Sequence, residues 1–397
     1  MIANAKVMLL VNSDRPELDA IANYYISARG LNPAHKFPLA MGGSYDTGLS
    51  EAANYSNIVL PVAQYIQANA IECIILAPGV PWTASGLSLS DVLGHSQHQM
   101  NKGGAFAASA SSGAGLRFDH TDAAYAAVHE VAGTTGADIN RSTLTFGGID
   151  TYKMTTARYN WKGNQAWIPH GRLGNVFGTA EWESYEGTKR IIDDAIASEK
   201  SIGQVVSEQV PIHLNLHDTS GPYISGVNMA RVRQHLANLG MNVKHTTGPS
   251  YNANWVPQPP ADSYGSFVNG EFAANPMPVW MFICQRYLGN WDSNTWLSSF
   301  TPMRGGVILV TNSSTATWVG GFIEKGGCAG VTILSEPYSD GVPEVEAFMR
   351  RLLEGMTIAE ASILSTPKGE YQLCPVGDPL YRPFGKNGNS MRVTRAR

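Results

Sequence analysis

The chain opens on an unbroken apolar run, VMLLV (Val7 to Val11), with no alternation of polar and apolar positions. A strand of that kind is buried on both faces, as in a parallel sheet covered by helices. Lys6 to Asn12 is therefore expected as a strand. Asp14-Arg15-Pro16-Glu17 then supplies a cap and first turn for a helix over Leu18 to Arg29, which Gly30 stops. A helix over about Ile58 to Ala68 follows, then a β-rich run, Glu72 to Ala77, closed by Pro78-Gly79-Val80-Pro81. From Leu87 to Gly115 the pattern dissolves into KGGAFAASASSGAG, which reads as a long flexible or partner-ordered loop. Thr143 to Ile149 and Ala166 to Pro169 are expected as strands, and Glu181 to Lys200 as a helix with acidic residues early and Lys last.

The second half repeats the alternation. Val210 to Leu216 is a strand, Asn228 to Leu239 a helix ended by Gly240, and Thr246 to Pro278 is crowded with loop signals. Strands over Val279 to Cys284, Gly306 to Thr311 and Gly330 to Leu334 follow, with helices near Trp318 to Lys325, Glu344 to Leu353 and Ile358 to Leu364. Strand and helix alternate throughout, which predicts an α/β fold of two adjacent Rossmann-like αβα sandwiches with mainly parallel sheets. The expected division is 1–203, with the Gly/Ala/Ser-rich loop near 101–116, then 204–384, then a tail over 385–397. At 397 residues the chain exceeds the ~250–300 at which one core stops growing, which also asks for two units.

Composition changes this picture in three ways. A net charge of −4 gives no basic field for nucleic acid. Charged residues are only 15% of the chain against about 25% in ordinary domains, a deficit that fits equally a surface covered by neighbouring copies and an unusual solvent niche or lineage bias. Cys73, Cys284, Cys328 and Cys374 each lie in apolar surroundings without CxxC spacing, so they read as buried thiols rather than zinc ligands or disulfides. VMLLV is too short for a signal-peptide core, and no apolar run approaches the ~20 residues that span a bilayer. Cytoplasmic synthesis without membrane insertion is the expectation, with packaging into a larger assembly as an extension of it.

Several stretches then line up in order: VMLLVNSDRPELDAIANYYISARGL, IILAPGVP, HGRLGN before a helix ending IASEK, ILSEPY and VGDPLYRPF. Together they resemble a bacterial group related to gingipain-type, caspase-fold peptidases. The resemblance implies paired αβα subdomains and, in catalytic relatives, a His-Gly at the end of one strand with a Cys at the end of the next, so that imidazole activates thiolate. Here those strand ends continue into Gln285-Arg286-Tyr287 and Asn312-Ser313-Ser314, where neither residue stands. Arg286 cannot serve as a base because its guanidinium stays protonated.

The remaining candidates are separate. His170-Gly171 imitates the signature but closes the first unit, where a strand-end turn explains it. His213 and His217 share parity on IHLNLHD beside Asp218, compatible with a metal pair, a His-carboxylate base or a satisfied hydrogen bond. His95 and His98 fall i, i+3 before the Gly-rich stretch. Trp280, Tyr287, Trp291 and Trp296 border the same edge, as core packing or as a stacking platform. GxGxxG, the P-loop and GxSxG are absent from the sequence, so no cofactor is expected. The leading expectation is a non-catalytic pseudoenzyme that self-assembles with copies of itself into a virion-like particle or surface array. The alternatives are a divergent hydrolase using Cys284, Ser313 or Ser314 with His213 or His217, and a glycan- or peptide-binding module.

Overall fold

The computed structural model describes residues 2–44, 46–84, 86–94, 96, 168–175, 184–201, 212–216, 236, 243–247, 277–285, 300–311, 315–334, 343, 345–366 and 372–385. The strands expected over 143–149, the Gly-rich loop with His98, and the tail lie outside these residues, as do His95 and most of the helix expected over 228–239.

The first half runs β1 (Val7–Asn12), α1 (Asp19–Arg29), β2 (Lys36–Leu39), α2 (Glu51–Asn54), α3 (Leu60–Asn69), β3 (Cys73–Leu76), a short hairpin of β4 (Thr83–Ala84) and β5 (Leu87–Ser88), α4 (Leu89–Gly94), β6 (His170–Leu173) and α5 (Tyr185–Ser201). The second half runs β7 (Ile212–Leu216), β8 (Val243–Thr247), β9 (Met277–Gln285), β10 (Phe300–Thr311), α6 (Ala316–Glu324), β11 (Gly327–Ile333), α7 (Val345–Leu353), α8 (Ile358–Ser365) and β12 (Leu373–Gly377). Every residue of β1, β3, β6, β11 and β12 is buried, and because successive strand residues face opposite ways, both faces of the sheet are covered.

The α/β class and the mainly parallel pairing hold, but the two sheets are one. Ten strands join in the order β2-β1-β3-β6-β12-β11-β10-β9-β7-β8. Within each half the first four strands take the same order, second, first, third, fourth. The two polarities meet at a single antiparallel pair, β11 with β12, where Val331 faces Pro375. On its other side β12 runs parallel to β6. A cut at 203/204 thus assigns β12 to the second unit although it also pairs with the first. Helix α5 spans the same seam: Ile192 packs in the core of the first half and Ile191 and Ala195 in that of the second.

Several elements depart from the sequence pattern. Leu87 to Gly94, expected as the start of a loop, forms β5 and α4 and is entirely buried. The strand expected at 166–169 begins instead at His170. Strands β9 and β10 are longer than expected, and β2, β8 and β12 are strands the sequence pattern does not announce, being short, polar or interrupted by proline; β8 and the start of β9 also take both ends of the stretch expected as loop over 246–278. The helix expected from Ile58 begins at Glu51 and passes through a π turn over Tyr55–Val59, in which Leu60 N–H bonds to Tyr55 O. Pro61, in the first turn of α3, has no N–H to offer, and a wider turn just before it avoids the clash of an α-helical ladder. No helix among the described residues is long and apolar enough to cross a membrane.

Candidate functional site

In doubly wound sheets, ligands sit beyond the carboxyl ends of the strands, where the chain order reverses. This sheet has two such points, between β1 and β3 and between β7 and β9. The first is filled by the protein itself. Asn12 Nδ2 donates to Gly79 O at 2.8 Å and to Gly42 O, while its Oδ1 accepts from Asp14 N at 3.1 Å and Met41 N at 3.2 Å. Gly79 sits at φ +84°, where a Cβ would run into Leu18 and Arg15.

At the second point the topology sorts the sequence candidates. His213 lies inside β7, in register with Phe282 of β9 and Lys244 of β8. Cys284 lies inside β9, in register with Asn215 and Val310. Both are interior strand positions with a hydrogen-bonded neighbour on either side. His217 and Asp218, by contrast, are the residues that follow the last residue of β7, Leu216. Arg286 follows β9, and Asn312-Ser313-Ser314 follows β10. Residues 217, 218, 286, 287, 291, 296, 313 and 314 themselves lie outside the described residues. Trp280 is described: it is buried and packs edge-to-face on Phe384 at 5.4 Å, so it is core and offers no stacking face.

Only three residues separate Thr311, the end of β10, from Thr315, which precedes α6, and Thr315 is pinned. Its N–H donates to Ile333 O at 3.0 Å and its Oγ1 accepts from Ile333 N at 2.9 Å, tying the turn to the end of β11. The Thr315 hydroxyl is engaged there and does not cap α6. Thr311 and Thr315 are thus the described residues on either side of 312–314, and α6, with the positive end of its dipole, begins directly after Thr315.

No family profile matches this chain, and no curated protein does. Among solved structures it is similar to one described as "Structure of Protease", at 12% identity and a TM-score of 0.47, over 96% of this chain and 79% of that one. Another, UDP-GlcNAc 2-epimerase from Neisseria meningitidis bound to UDP-GlcNAc, has 9% identity and a TM-score of 0.20, over 98% of this chain and 97% of that one. At these values neither likeness adds to what the topology establishes.

The His-Gly pair of the first half has a different fate. His170 is the first residue of β6, so it stands at the amino end of its strand and not at the carboxyl edge of the sheet. It is fully buried beneath α4, with Nε2 3.5 Å from Asp91 Oδ1 and Nδ1 3.3 Å from Ile168 O. A Cβ on Gly94 would overlap the ring, so α4 lies directly on it. Around this pair the chain gathers Ser88, Ser90, Arg172 and Cys374. Ser90 Oγ donates to Cys374 Sγ at 3.4 Å, Ser88 Oγ donates to Leu373 O at 3.0 Å, and Asp91 Oδ2 accepts from Leu373 N at 3.1 Å. Arg172 donates to Val80 O and lies 4.6 Å over the Trp82 ring. The set contains cysteine, histidine and aspartate, yet burial pushes the Cys374 thiol up to about 11, where it stays protonated at neutral pH. Its arrangement is that of a polar seam between α4, β6 and β12. Cys73 and Cys328 are likewise buried, their thiols pushed up chiefly by burial, as the apolar sequence around them predicts. Among the described residues no three His, Cys, Asp or Glu side chains gather as a metal site.

Sequence reasoning missed Asp91 and Asp378. Each is a lone acid inside an apolar run, LSLSDVLG and PVGDPLYRPF, and that context was the available signal.

Proposed function

We propose that this chain is a hydrolase acting on peptide or ester bonds at the carboxyl edge of β7, β9 and β10, with Ser313 as nucleophile and His217 as base. The observation that supports this reading is the order of the strands at the second switch point, β7-β9-β10, together with the sequence that follows them: His217-Asp218 comes directly after β7, and Asn312-Ser313-Ser314 directly after β10. Two strand spacings of about 4.8 Å separate these strands, a gap that two side chains on loops can close. Ser313 is preferred to Ser314 because it is the middle one of the three residues between Thr311 and Thr315, farthest in sequence from both. Cys284 and His213 are set aside because they lie within strands.

In this mechanism the Ser313 hydroxyl adds to the carbonyl carbon while its proton passes to the His217 imidazole. The imidazole then returns that proton to the leaving amine or alcohol, and water, deprotonated by the same base, releases the acyl group. The first amides of α6 supply positive potential where the oxyanion develops. The test is labelling of the full chain with a serine-reactive fluorophosphonate, alongside turnover of a chromogenic ester. Labelling should map to the peptide holding Ser313, vanish in Ser313→Ala, fall by about 10²–10⁴ in His217→Ala and persist in Ser314→Ala. A wild-type chain that neither labels nor turns over an ester or a peptide overturns the proposal.

A second reading, a subunit that assembles with its own copies, is favoured by the low charge fraction of 15%.

A further inference from the structure

The turn after β12 is where charge binds the two halves together. Asp378 is fully buried and accepts from Tyr25 Oη at 2.8 Å, Leu380 N at 3.1 Å, Arg29 Nε at 2.8 Å and Arg29 Nη2. The remaining arm of that fork, Arg29 Nη1, donates to Glu199 Oε1 at 2.8 Å, and the same oxygen accepts from Arg382 N at 2.8 Å. The Arg382 guanidinium points elsewhere, with Nη1 donating to Leu380 O at 3.4 Å and Nη2 3.9 Å from Glu360 Oε2. Glu360 in turn accepts from Ile2 N at 2.7 Å and Thr357 N at 3.0 Å. Three carboxylates, Asp378, Glu199 and Glu360, thus share two guanidiniums. Of these, Asp378 and Glu199 both lean on the single Arg29 guanidinium in a place largely closed to water, and such a pair relieves itself by taking up a proton.

Glu199 is the member that can take it. Asp378 holds four donors, and both oxygens of Glu360 are engaged in the start of α8 and the N-terminal segment. Glu199 holds its two partners through one oxygen and is the most exposed of the three, at 15% of its side chain. We propose that Glu199 is a proton-operated latch on the seam: with its proton it strengthens the clasp of α1 and α5 on the turn after β12, and without it the clasp loosens.

Burial moves Glu199 above the ordinary carboxylate range and outweighs the opposing pull of Arg29. A group raised in the folded state stabilises fully below its unfolded value and loses that contribution as pH rises through its folded one. Among the described residues the groups facing Glu199 are Arg29 from α1 and Asp378, Tyr381 and Arg382 from the turn after β12. Asp194, on the same helix, is matched by Arg190 and by Arg304 of β10, and the Cys328 thiol of β11 stays neutral because burial pushes it up.

The experiment measures urea midpoints of the full chain and of Glu199→Gln from about pH 5 to about pH 8, a window above the ordinary carboxylate value. Wild type should lose stability as pH rises, whereas Glu199→Gln, which keeps the acceptor and drops the charge, should lose that slope and be at least as stable at the upper end. Amide hydrogen exchange in 19–29 and 373–385, corrected for the intrinsic pH dependence, should quicken with pH in wild type alone. An unchanged slope in Glu199→Gln, or a variant less stable than wild type at neutral pH, overturns the latch.

Discussion

At Gly377 the chain leaves β12 with φ +91°, and a Cβ there would overlap the backbone of Cys328 and Ala329 on β11. The glycine of GDPLYRPF is therefore required twice, by its own left-handed backbone and by the close approach of the neighbouring strand. Gly377→Ala should cost about 2–4 kcal/mol, read as a lower urea midpoint with unchanged slope. The rest of that motif works at the same place: Asp378 collects Arg29 and Tyr25, and Tyr381 Oη donates to Gly305 O at 2.9 Å. As a string of letters the motif suggested kinship, and as a structure it is a clasp. His170 reversed in the other direction, since its spelling imitates a catalytic signature while its place at the start of β6, under α4, makes it part of the interior.

Among elements, those with apolar runs on both strand faces were legible: β1, β3, β9, β10 and β11 all appear close to where hydrophobicity places them. The strands that escaped are KFPL, VKHTT and LCPVG, which are short, polar or interrupted by proline. Pro375 is the sharpest case, because proline ordinarily argues against a central strand, yet β12 sits between β6 and β11. Its place is secured by long-range contacts that no local window contains. Helix α8 was legible as a helix, and the structure adds how it starts: Thr357 Oγ1 accepts from Glu360 N at 3.1 Å while Glu360 Oε2 accepts from Thr357 N at 3.0 Å. Thr357→Ala should cost about 1–2 kcal/mol, since the cap is buried and Glu360 loses a donor it holds in place, and thermal unfolding of the variant checks this.

For the molecule as a whole, self-association needs a face. Among the described residues the large apolar side chains standing exposed are Leu49 and Tyr185, too little for an obligate interface. Light scattering of the full chain across a tenfold concentration range tests the assembly reading: the monomer mass of 42.7 kDa throughout would remove it. A mass that grows with concentration would bring the assembly reading forward.

By itself the sequence determined the α/β class, the burial of Cys73, Cys328 and Cys374, and most helices and central strands, because these follow from hydrophobic spacing within a dozen residues. Tertiary structure alone decided that the two halves share one sheet, that the terminal strand closes it, and that the His-Gly pair is sealed away. It also decided which candidates stand inside strands, as Cys284 and His213 do, and which fall beyond them. Those outcomes depend on pairings between residues hundreds of positions apart, such as Arg29 with Asp378, whose energy comes from burial and opposite charge brought together by the fold.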